Sequence, residues 1–202
     1  MSVIVRNPVI VAFDFDGTLT RGESFFRFLA HVTPWHRFIF CLLLSLPVLI
    51  GYGLGRIEND DAKARVIRRF LRGRRVDQLA RQAEDFAQHW IPHQLRPEAV
   101  ARLRGHQKQG HVCVLVSATL ALYLQPWARD MGFDRVLATE LAVDATGCLT
   151  GEMSSQNCFG PEKARRLRDA FACERIHAAY GDTAGDREML AMADKPGYRL
   201  WH

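Results

Sequence analysis

Short apolar runs alternate with stretches of helical spacing along most of the chain. Residues 8–13, 111–118 and 176–181 are apolar runs with almost no charge, which is typical of strands buried on both faces of a parallel sheet. Between these runs, apolar residues recur every three or four positions and predict helices. The alternation predicts an α/β fold with a mainly parallel sheet and helices on both of its faces.

One long region departs from this alternation. Residues 22–96 have helical spacing throughout, so we expect a helical insertion there, with the core formed by residues 1–21 and 97–202. In the second half of the core, the pattern predicts further elements: a short strand over residues 135–139, a hairpin over 141–153 and a last strand over 198–201.

Residues 38–54 form an uncharged apolar stretch inside the insertion, flanked by His36, Arg37 and Arg56. Its length is at the lower limit for a membrane span, and Pro47 interrupts it. A single crossing would place the acidic residues before it and after it on opposite sides of a membrane. We therefore expect peripheral or re-entrant membrane contact, as an interfacial segment or a helical hairpin in one leaflet. The alternative is a pair of apolar helices packed within the insertion.

Basic residues are concentrated directly after this stretch. Residues 56–81 contain nine Lys or Arg against four acids, which accounts for the whole net charge of +5 in the 202-residue chain. Such a segment attracts phosphate groups, anionic lipid or nucleic acid. We do not expect nucleic acid as a partner, because the segment lacks the interleaved aromatic side chains of a base-stacking platform.

The cysteines and the N-terminus indicate the compartment. The five cysteines are scattered without a C-x-x-C pair, and residues 1–8 lack the basic and long apolar regions of a signal peptide. We therefore expect reduced thiols in a cytoplasmic protein, located at the inner face of the cell membrane if the apolar stretch contacts lipid.

The end of the first strand carries the chemistry. Asp14 and Asp16 stand one residue apart where the strand ends, which is where ligands bind in open α/β sheets. Two carboxylates so close repel each other unless a cation or a proton lies between them. Gly17 permits a tight turn and lets a backbone N–H approach an anion. These residues predict a divalent metal, a bound anion and a carboxylate placed to attack it.

The segment Asp-Phe-Asp-Gly-Thr-Leu-Thr over residues 14–20 resembles the first motif of the haloacid-dehalogenase superfamily, most of whose members are Mg²⁺-dependent phosphatases. The resemblance implies a Rossmann-like core with a helical cap inserted after the first strand. It also implies that Asp14 is the nucleophile and forms an aspartyl-phosphate. Asp16 would be the general acid and base.

Three later segments are similar to the remaining motifs of the family, in the same order. Ser117 matches the second motif, and with the backbone of Ala118 and Gly17 it would bind phosphoryl oxygens. Lys163 matches the third motif and would stabilise the developing charge. These assignments are what the resemblance implies.

The fourth motif is carried by residues 181–190, in which Asp182 and Asp186 follow an apolar strand. The resemblance implies that Asp182 binds Mg²⁺ together with Asp14 and the backbone carbonyl of Asp16. Asp186 would hold the water shell of the metal. The cofactor that we expect is therefore Mg²⁺, and the partner is a phosphorylated substrate.

The substrate has three interpretations. The cap placement resembles phosphoserine-phosphatase-like members of the family, and residues 157–163 resemble phosphatidylglycerophosphatase C-like hydrolases, which implies a lipid phosphate at the inner membrane surface. Glu23 and Arg65 favour instead a small soluble phosphomonoester such as phosphoserine or histidinol phosphate, with Glu23 binding an ammonium group and Arg65 a carboxylate. The third interpretation is a non-catalytic membrane or protein adaptor, for which we would expect a missing nucleophile or metal acid.

Overall fold

A five-stranded parallel sheet forms the centre of the computed structural model, which describes residues 8–201. The strand order is β3-β2-β1-β6-β7, and the strands are β1 (Ile10–Phe13), β2 (Val112–Leu120), β3 (Arg135–Thr139), β6 (Ile176–Gly181) and β7 (Ala193–Tyr198). The predicted α/β fold is confirmed. Residues 1–7, which carry the prediction about a signal peptide, and residue 202 lie outside the described residues.

Strand β1 is the middle strand, and both of its faces are covered. Val11 and Phe13 point into one buried cluster, whereas Ile10 and Ala12 point into another. This follows from the alternation of side chains along a strand, and it explains why the run carries no charge. Because β2 and β6 flank β1 in parallel, the carboxyl ends of these three strands meet at one edge of the sheet.

Eight α-helices surround the sheet within the described residues: α1 (Phe25–Val32), α2 (Trp35–Gly53), α3 (Asn59–Leu71), α4 (Val76–His89), α5 (Pro97–Lys108), α6 (Ala121–Asp130), α7 (Pro161–Phe171) and α8 (Arg187–Ala191). Short 3-10 helices cover Ile91–Gln94 and Ala184–Asp186. Helices α7 and α8 supply the apolar cluster on one face of the sheet, and α1, α3, α4, α5 and α6 supply the cluster on the other.

Residues 22–96 form α1 to α4 and the first 3-10 helix. The chain enters and leaves this segment side by side, because Arg21 N–H donates to Gln94 O at 2.8 Å and Arg96 N–H donates to Leu19 O at 2.8 Å. The buried cluster is continuous from this segment into the rest of the protein. Phe86 of α4, for example, packs against Tyr123 of α6 with ring centroids 5.2 Å apart.

The predicted hairpin is also present, as the antiparallel pair β4 (Leu141–Val143) and β5 (Leu149–Met153). It lies against the helical segment, because Gly73 N–H donates to Leu149 O at 2.8 Å and Val76 N–H donates to Gly147 O at 3.0 Å. The hairpin is therefore held by backbone hydrogen bonds to the turn between α3 and α4.

The apolar stretch is one continuous helix, so the expected helical hairpin or helix pair over residues 38–54 is wrong. Helix α2 runs through Pro47 without a break. Pro47 lies on the exposed side of α2, where the carbonyl group that loses its N–H partner can be hydrated. In the described residues, α2 is the single helix that is long and apolar enough to cross a membrane, with a mean hydropathy of 1.6.

The last strand also differs from the prediction. We expected it over residues 198–201, but β7 covers Ala193–Tyr198 and the chain turns after it. Asp194, Lys195, Pro196 and Gly197 hide this strand in the sequence, since none of them favours a sheet. Strand β7 lies at the edge of the sheet, where a proline is tolerated because its missing N–H faces away from the neighbouring strand.

Candidate active site

The strand ends bring the predicted acidic residues to one place. Asp14 follows β1 directly, and its N–H donates to Tyr180 O of β6 at 2.9 Å. Asp182 follows β6, and Ser117 lies near the end of β2 on the other side of β1. Because β2 and β6 lie on either side of β1, Asp14 stands between Ser117 and Asp182 at the carboxyl edge of the sheet.

Lys163 holds two of the carboxylates together. Its Nζ lies 2.5 Å from Asp14 Oδ1 and 2.6 Å from Asp186 Oδ1, and all three side chains are buried. Burial opposes the charge on Lys163, but the two carboxylates outweigh it, so the pKa of Lys163 is raised. Burial also raises the pKa of Asp14 to about 7, although Lys163 acts against this rise.

Asp186 organises the loop after β6. Its Oδ2 accepts hydrogen bonds from Asp182 N–H at 3.1 Å, Thr183 N–H at 3.0 Å and Thr183 Oγ1 at 3.0 Å. Because Asp186 Oδ1 accepts a hydrogen bond from Lys163, both oxygens of this carboxylate are hydrogen-bonded. The carboxylate thus fixes the loop that presents Asp182 beside Asp14.

The donor set fits a hard divalent cation. Asp14, Asp182 and Asp186 each offer a carboxylate oxygen, and these oxygens lie within 4.8 Å of one another. Gly17 makes room for Asp182: it has φ +78°, and a Cβ there would lie 2.2 Å from Asp182 Oδ2. A tight turn without a side chain is therefore what lets the carboxylates converge. Oxygen ligands of this kind suit Mg²⁺.

Asp16 has separate partners. Its carboxylate accepts hydrogen bonds from Ser24 N–H at 2.9 Å and from Ser24 Oγ at 3.0 Å. Ser24 Oγ is in turn 2.8 Å from Tyr123 OH, which also contacts Thr119 Oγ1. Burial and the nearby charge of Glu23 raise the pKa of Asp16 well above its usual range, against the effect of Ser24. Burial therefore acts against the ionised form of Asp16, whereas the hydrogen bonds from Ser24 stabilise it.

These groups open into a cavity of about 520 Å³. Its floor includes Asp14, Asp16 and Lys163, and its walls include residues from α1, α2 and α3. The apolar part of the lining includes Phe25, Phe26, Leu49, Ala62, Val66 and Phe159. The cavity thus combines a charged floor with a largely apolar wall that residues 22–96 provide.

A lysine that the sequence analysis did not single out lies in this wall. Lys63 Nζ donates to the carbonyl of Ala118 and to Asn157 Oδ1, the latter at 3.0 Å, and lies 5.2 Å from the ring centroid of Phe25. Its partners are neutral oxygens, and burial lowers the pKa of Lys63 to about 8. The signal that could have identified Lys63 is its helical spacing, which puts it on the same face of α3 as Asn59, Ala62 and Val66, all of which line the cavity.

The structure brings most of the predicted site residues together, with one exception. Ser117 and Ala118 line the cavity, and Ser117 Oγ accepts a hydrogen bond from Thr119 N–H at 3.1 Å. Glu23 is exposed at the rim, where partial burial and the charge of Asp182 raise its pKa. Arg65 is exposed on α3 and does not contribute to the cavity lining.

Comparison with known proteins points to one family. The model of the haloacid dehalogenase-like hydrolase family matches residues 11–191. Protein CicA of Caulobacter vibrioides is 42% identical over 200 residues, covering 97% of this chain and 88% of that protein. Phosphoserine phosphatase SerB2 of Mycobacterium tuberculosis is 32% identical over 123 residues, covering 58% of this chain and 27% of that protein.

A solved structure extends the agreement to the fold. The crystal structure of a protein of unknown function from Bordetella pertussis Tohama I has a TM-score of 0.82 at 24% identity, covering 95% of this chain and 89% of that one. The chain belongs to the haloacid dehalogenase-like hydrolase family. The family match, together with a phosphoserine phosphatase among the relatives, supports a phosphatase.

Proposed function

We propose that the protein hydrolyses phosphate monoesters through an aspartyl-phosphate on Asp14. The observation that carries the proposal is the buried arrangement in which Lys163 bridges Asp14 and Asp186, with Asp182 close by, at the floor of the cavity. Such a cluster is costly to bury unless it binds something. It supports the proposal because it would supply a nucleophile, a cationic side chain and metal ligands around one point.

In the first step an oxygen of Asp14 attacks phosphorus and the bond to the alcohol oxygen breaks. Asp16 donates its proton to that leaving oxygen. In the second step Asp16 takes a proton from water, the water oxygen attacks phosphorus, and the bond to Asp14 breaks. Lys163 and Ser117, together with backbone N–H groups of Ala118 and Gly17, hold the phosphoryl oxygens during both steps.

The acidic cluster would hold Mg²⁺. Asp14, Asp182 and the backbone carbonyl of Asp16 would be its ligands, and Asp186 would hold its water shell. When bound, the ion neutralises charge on the phosphoryl group. We also assign residues 1–21 and 97–202 to the catalytic core and residues 22–96 to a cap, since the latter supply one wall of the cavity.

For the substrate, we propose a lipid phosphomonoester at the inner surface of the cell membrane, such as phosphatidylglycerophosphate. The support is the apolar wall of Phe25, Phe26, Leu49 and Val66 around a charged floor, which suits a phosphate carried on an apolar group. A second candidate is a small zwitterionic phosphomonoester such as phosphoserine. It is favoured by the opposite charges of Glu23 and Lys63 in the lining.

The test is Mg²⁺-dependent phosphate release from phosphatidylglycerophosphate in mixed micelles, phosphoserine, histidinol phosphate and an aryl phosphate. Asp14→Asn serves as the blank. We expect release that Asp14→Asn abolishes, with kcat/KM for the micellar lipid at least a hundredfold above that for the soluble esters. Preference for phosphoserine would replace the lipid by the second candidate. Absence of release from every substrate would refute the phosphatase and favour an adaptor.

A further inference from the structure

Helix α2 exposes one whole apolar side. Trp35 is 79% exposed, Phe40 62%, Leu43 58% and Ile50 59%. Ile39, Leu44 and Leu46 are exposed beside them, and at 3.6 residues per turn all of these fall on one half of the helix. An apolar face of this extent on a folded protein marks a binding surface. We call these seven residues the α2 face.

The opposite side of α2 is packed against the protein. Cys41, Ser45 and Val48 are buried there, and Phe38 contacts Phe70 of α3 with ring centroids 5.5 Å apart. A helix that crosses a bilayer would carry α3 with it. Arg65 and Arg68 of α3 are exposed, as is Arg72 directly after the helix. Charged side chains of this kind are costly in hydrocarbon. The packing therefore fits a helix that lies in the plane of a surface.

The charges around the α2 face select an anionic occupant. Between Glu23 and Glu58 the sequence has no acidic residue, whereas Arg37 and Arg56 flank the helix at its two ends. If two copies paired through their α2 faces, arginines would meet arginines with no acid between them, which disfavours self-association. An anionic lipid surface supplies both the apolar interior and the negative charge.

The α2 face is also next to the cavity. Leu49 and Tyr52, on the side of α2 that is turned toward the site, belong to the cavity lining, while Ile50 between them is exposed on the α2 face. One helix thus forms a wall of the candidate active site and the apolar surface. A lipid reaching the cavity from a bilayer would pass along a single helix.

We propose that α2 docks the protein in the plane of an anionic phospholipid bilayer, with the α2 face in the acyl-chain boundary and Arg37 and Arg56 on the headgroups. The docking is a property of the surface and does not depend on catalysis. Its use, delivery of a lipid phosphate to the cavity, rests on the proposed function. The two proposals can therefore fail separately: the protein can bind a bilayer and lack phosphatase activity, or it can be a phosphatase that does not bind a bilayer.

The test is flotation of the Asp14→Asn protein with vesicles of equal parts phosphatidylglycerol and phosphatidylcholine. We expect the protein to float with these vesicles and to bind pure phosphatidylcholine vesicles more weakly. Leu43→Asn combined with Ile50→Asn should reduce the partition coefficient about a hundredfold. Arg37→Gln combined with Arg56→Gln should reduce it about twentyfold on anionic vesicles and leave binding to phosphatidylcholine unchanged.

The matched control is Val143→Asn combined with Leu200→Asn, which makes the same apolar-to-polar change at two exposed positions outside α2. It should float like the parent protein. Three results would overturn the proposal: a parent protein that stays unbound, protein that resists release by alkaline carbonate as a spanning helix does, or a parent dimer that Leu43→Asn with Ile50→Asn converts to a monomer in light scattering.

Discussion

Lys63 offers the sharpest test of how the cavity recognises its ligand. The ammonium group lies in the cavity wall, and its hydrogen-bond partners, Ala118 O and Asn157 Oδ1, are neutral. A cation in such a place is held at a cost in stability, and the cost is recovered when an anion binds beside it. We therefore predict that Lys63→Met stabilises the protein and weakens the binding of substrates that carry a second anionic group.

The size of the cost follows from the pKa. Burial lowers the pKa of Lys63 from 10.5 to about 8, a difference that corresponds to about 3 kcal/mol. Since the side chain is partly exposed to the cavity, we expect about 2 kcal/mol in the free energy of unfolding, or about 6 °C in Tm.

The pH dependence has a definite sign. The folded-state pKa lies below the unfolded one, so the protonated form is disfavoured by folding. The penalty is therefore complete below pH 8, declines between pH 8 and 10.5, and is absent above. Lys63→Met should raise the free energy of unfolding at pH 7, and its advantage should disappear as the pH approaches 10.5. Urea unfolding at several pH values measures this difference.

The activity of the same variant should change in the opposite direction. For a substrate with a second anionic group, such as the phosphodiester of phosphatidylglycerophosphate or the carboxylate of phosphoserine, we expect KM to rise about tenfold to a hundredfold. For an aryl phosphate it should change less than twofold. In the unchanged enzyme, kcat/KM for the doubly anionic substrate should fall above pH 8 as Lys63 loses its proton.

Arg65→Met is the matched control for this experiment. It removes one positive charge from the same helix two positions away, at an exposed site outside the cavity lining, so stability and KM should stay near those of the parent protein. The reasoning would be refuted if Lys63→Met were less stable than the parent at pH 7. It would equally be refuted if Lys63→Met and Arg65→Met had the same effect on KM.

Three further predictions concern the carboxylate cluster. Gly17→Ala places a Cβ 2.2 Å from Asp182 Oδ2 at a positive φ, so we expect at least a tenfold loss of Mg²⁺ affinity in calorimetry. The control is Gly55→Ala, which is also at positive φ but has open space around it and should bind Mg²⁺ normally. Lys163→Met leaves Asp14 and Asp186 buried without their shared cation, so it should cost about 3–5 kcal/mol in metal-free urea unfolding and abolish phosphate release. Chelation should abolish activity, and saturation with Mg²⁺ at a hundred times its Kd should add about 2.7 kcal/mol to the free energy of unfolding.

Each of these has a contrary outcome. Equal Mg²⁺ affinity of Gly17→Ala and Gly55→Ala would remove Asp182 from the proposed metal site. An unfolding free energy of Lys163→Met within 1 kcal/mol of the parent would mean that the bridge between the two carboxylates is not needed for folding. Activity that persists after exhaustive chelation, with Asp14→Asn still inactive, would separate the nucleophile from the metal.

The sequence predicted those parts of the site that depend on strand ends. The apolar runs before Asp14 and Asp182 place both at strand ends, whereas their position beside each other followed from the resemblance to the family's motifs. Lys163 could be placed only through its resemblance to a motif, since a lysine near the start of a helix has no distinctive pattern of its own. The fold class followed from the same alternation of strands and helices.

The sequence could not show which side of a helix faces the cavity. Lys63 and Arg65 are both basic residues of α3, and on a helix two positions differ by about 200°, so one lines the cavity and the other faces solvent. Which of them faces the site depends on how α3 packs against α2 and the hairpin. The same limit applies to Pro47, whose position on the exposed side of α2 decides that the helix continues.

The charge of the cavity depends on a bound cation and on one proton. Five carboxylates, those of Asp14, Asp16, Glu23, Asp182 and Asp186, lie in or beside the cavity with two ammonium groups, those of Lys63 and Lys163, which leaves an excess of three negative charges when all are ionised. Ionised and without a cation, this set repels a phosphate group. A divalent ion at the acidic cluster would reduce this excess to one negative charge, and the proton that burial favours on Asp16 would bring the site to neutrality. The proton that Asp16 would give to the leaving oxygen is thus also the one that lets the phosphate enter, which ties substrate binding and leaving-group protonation to a single group.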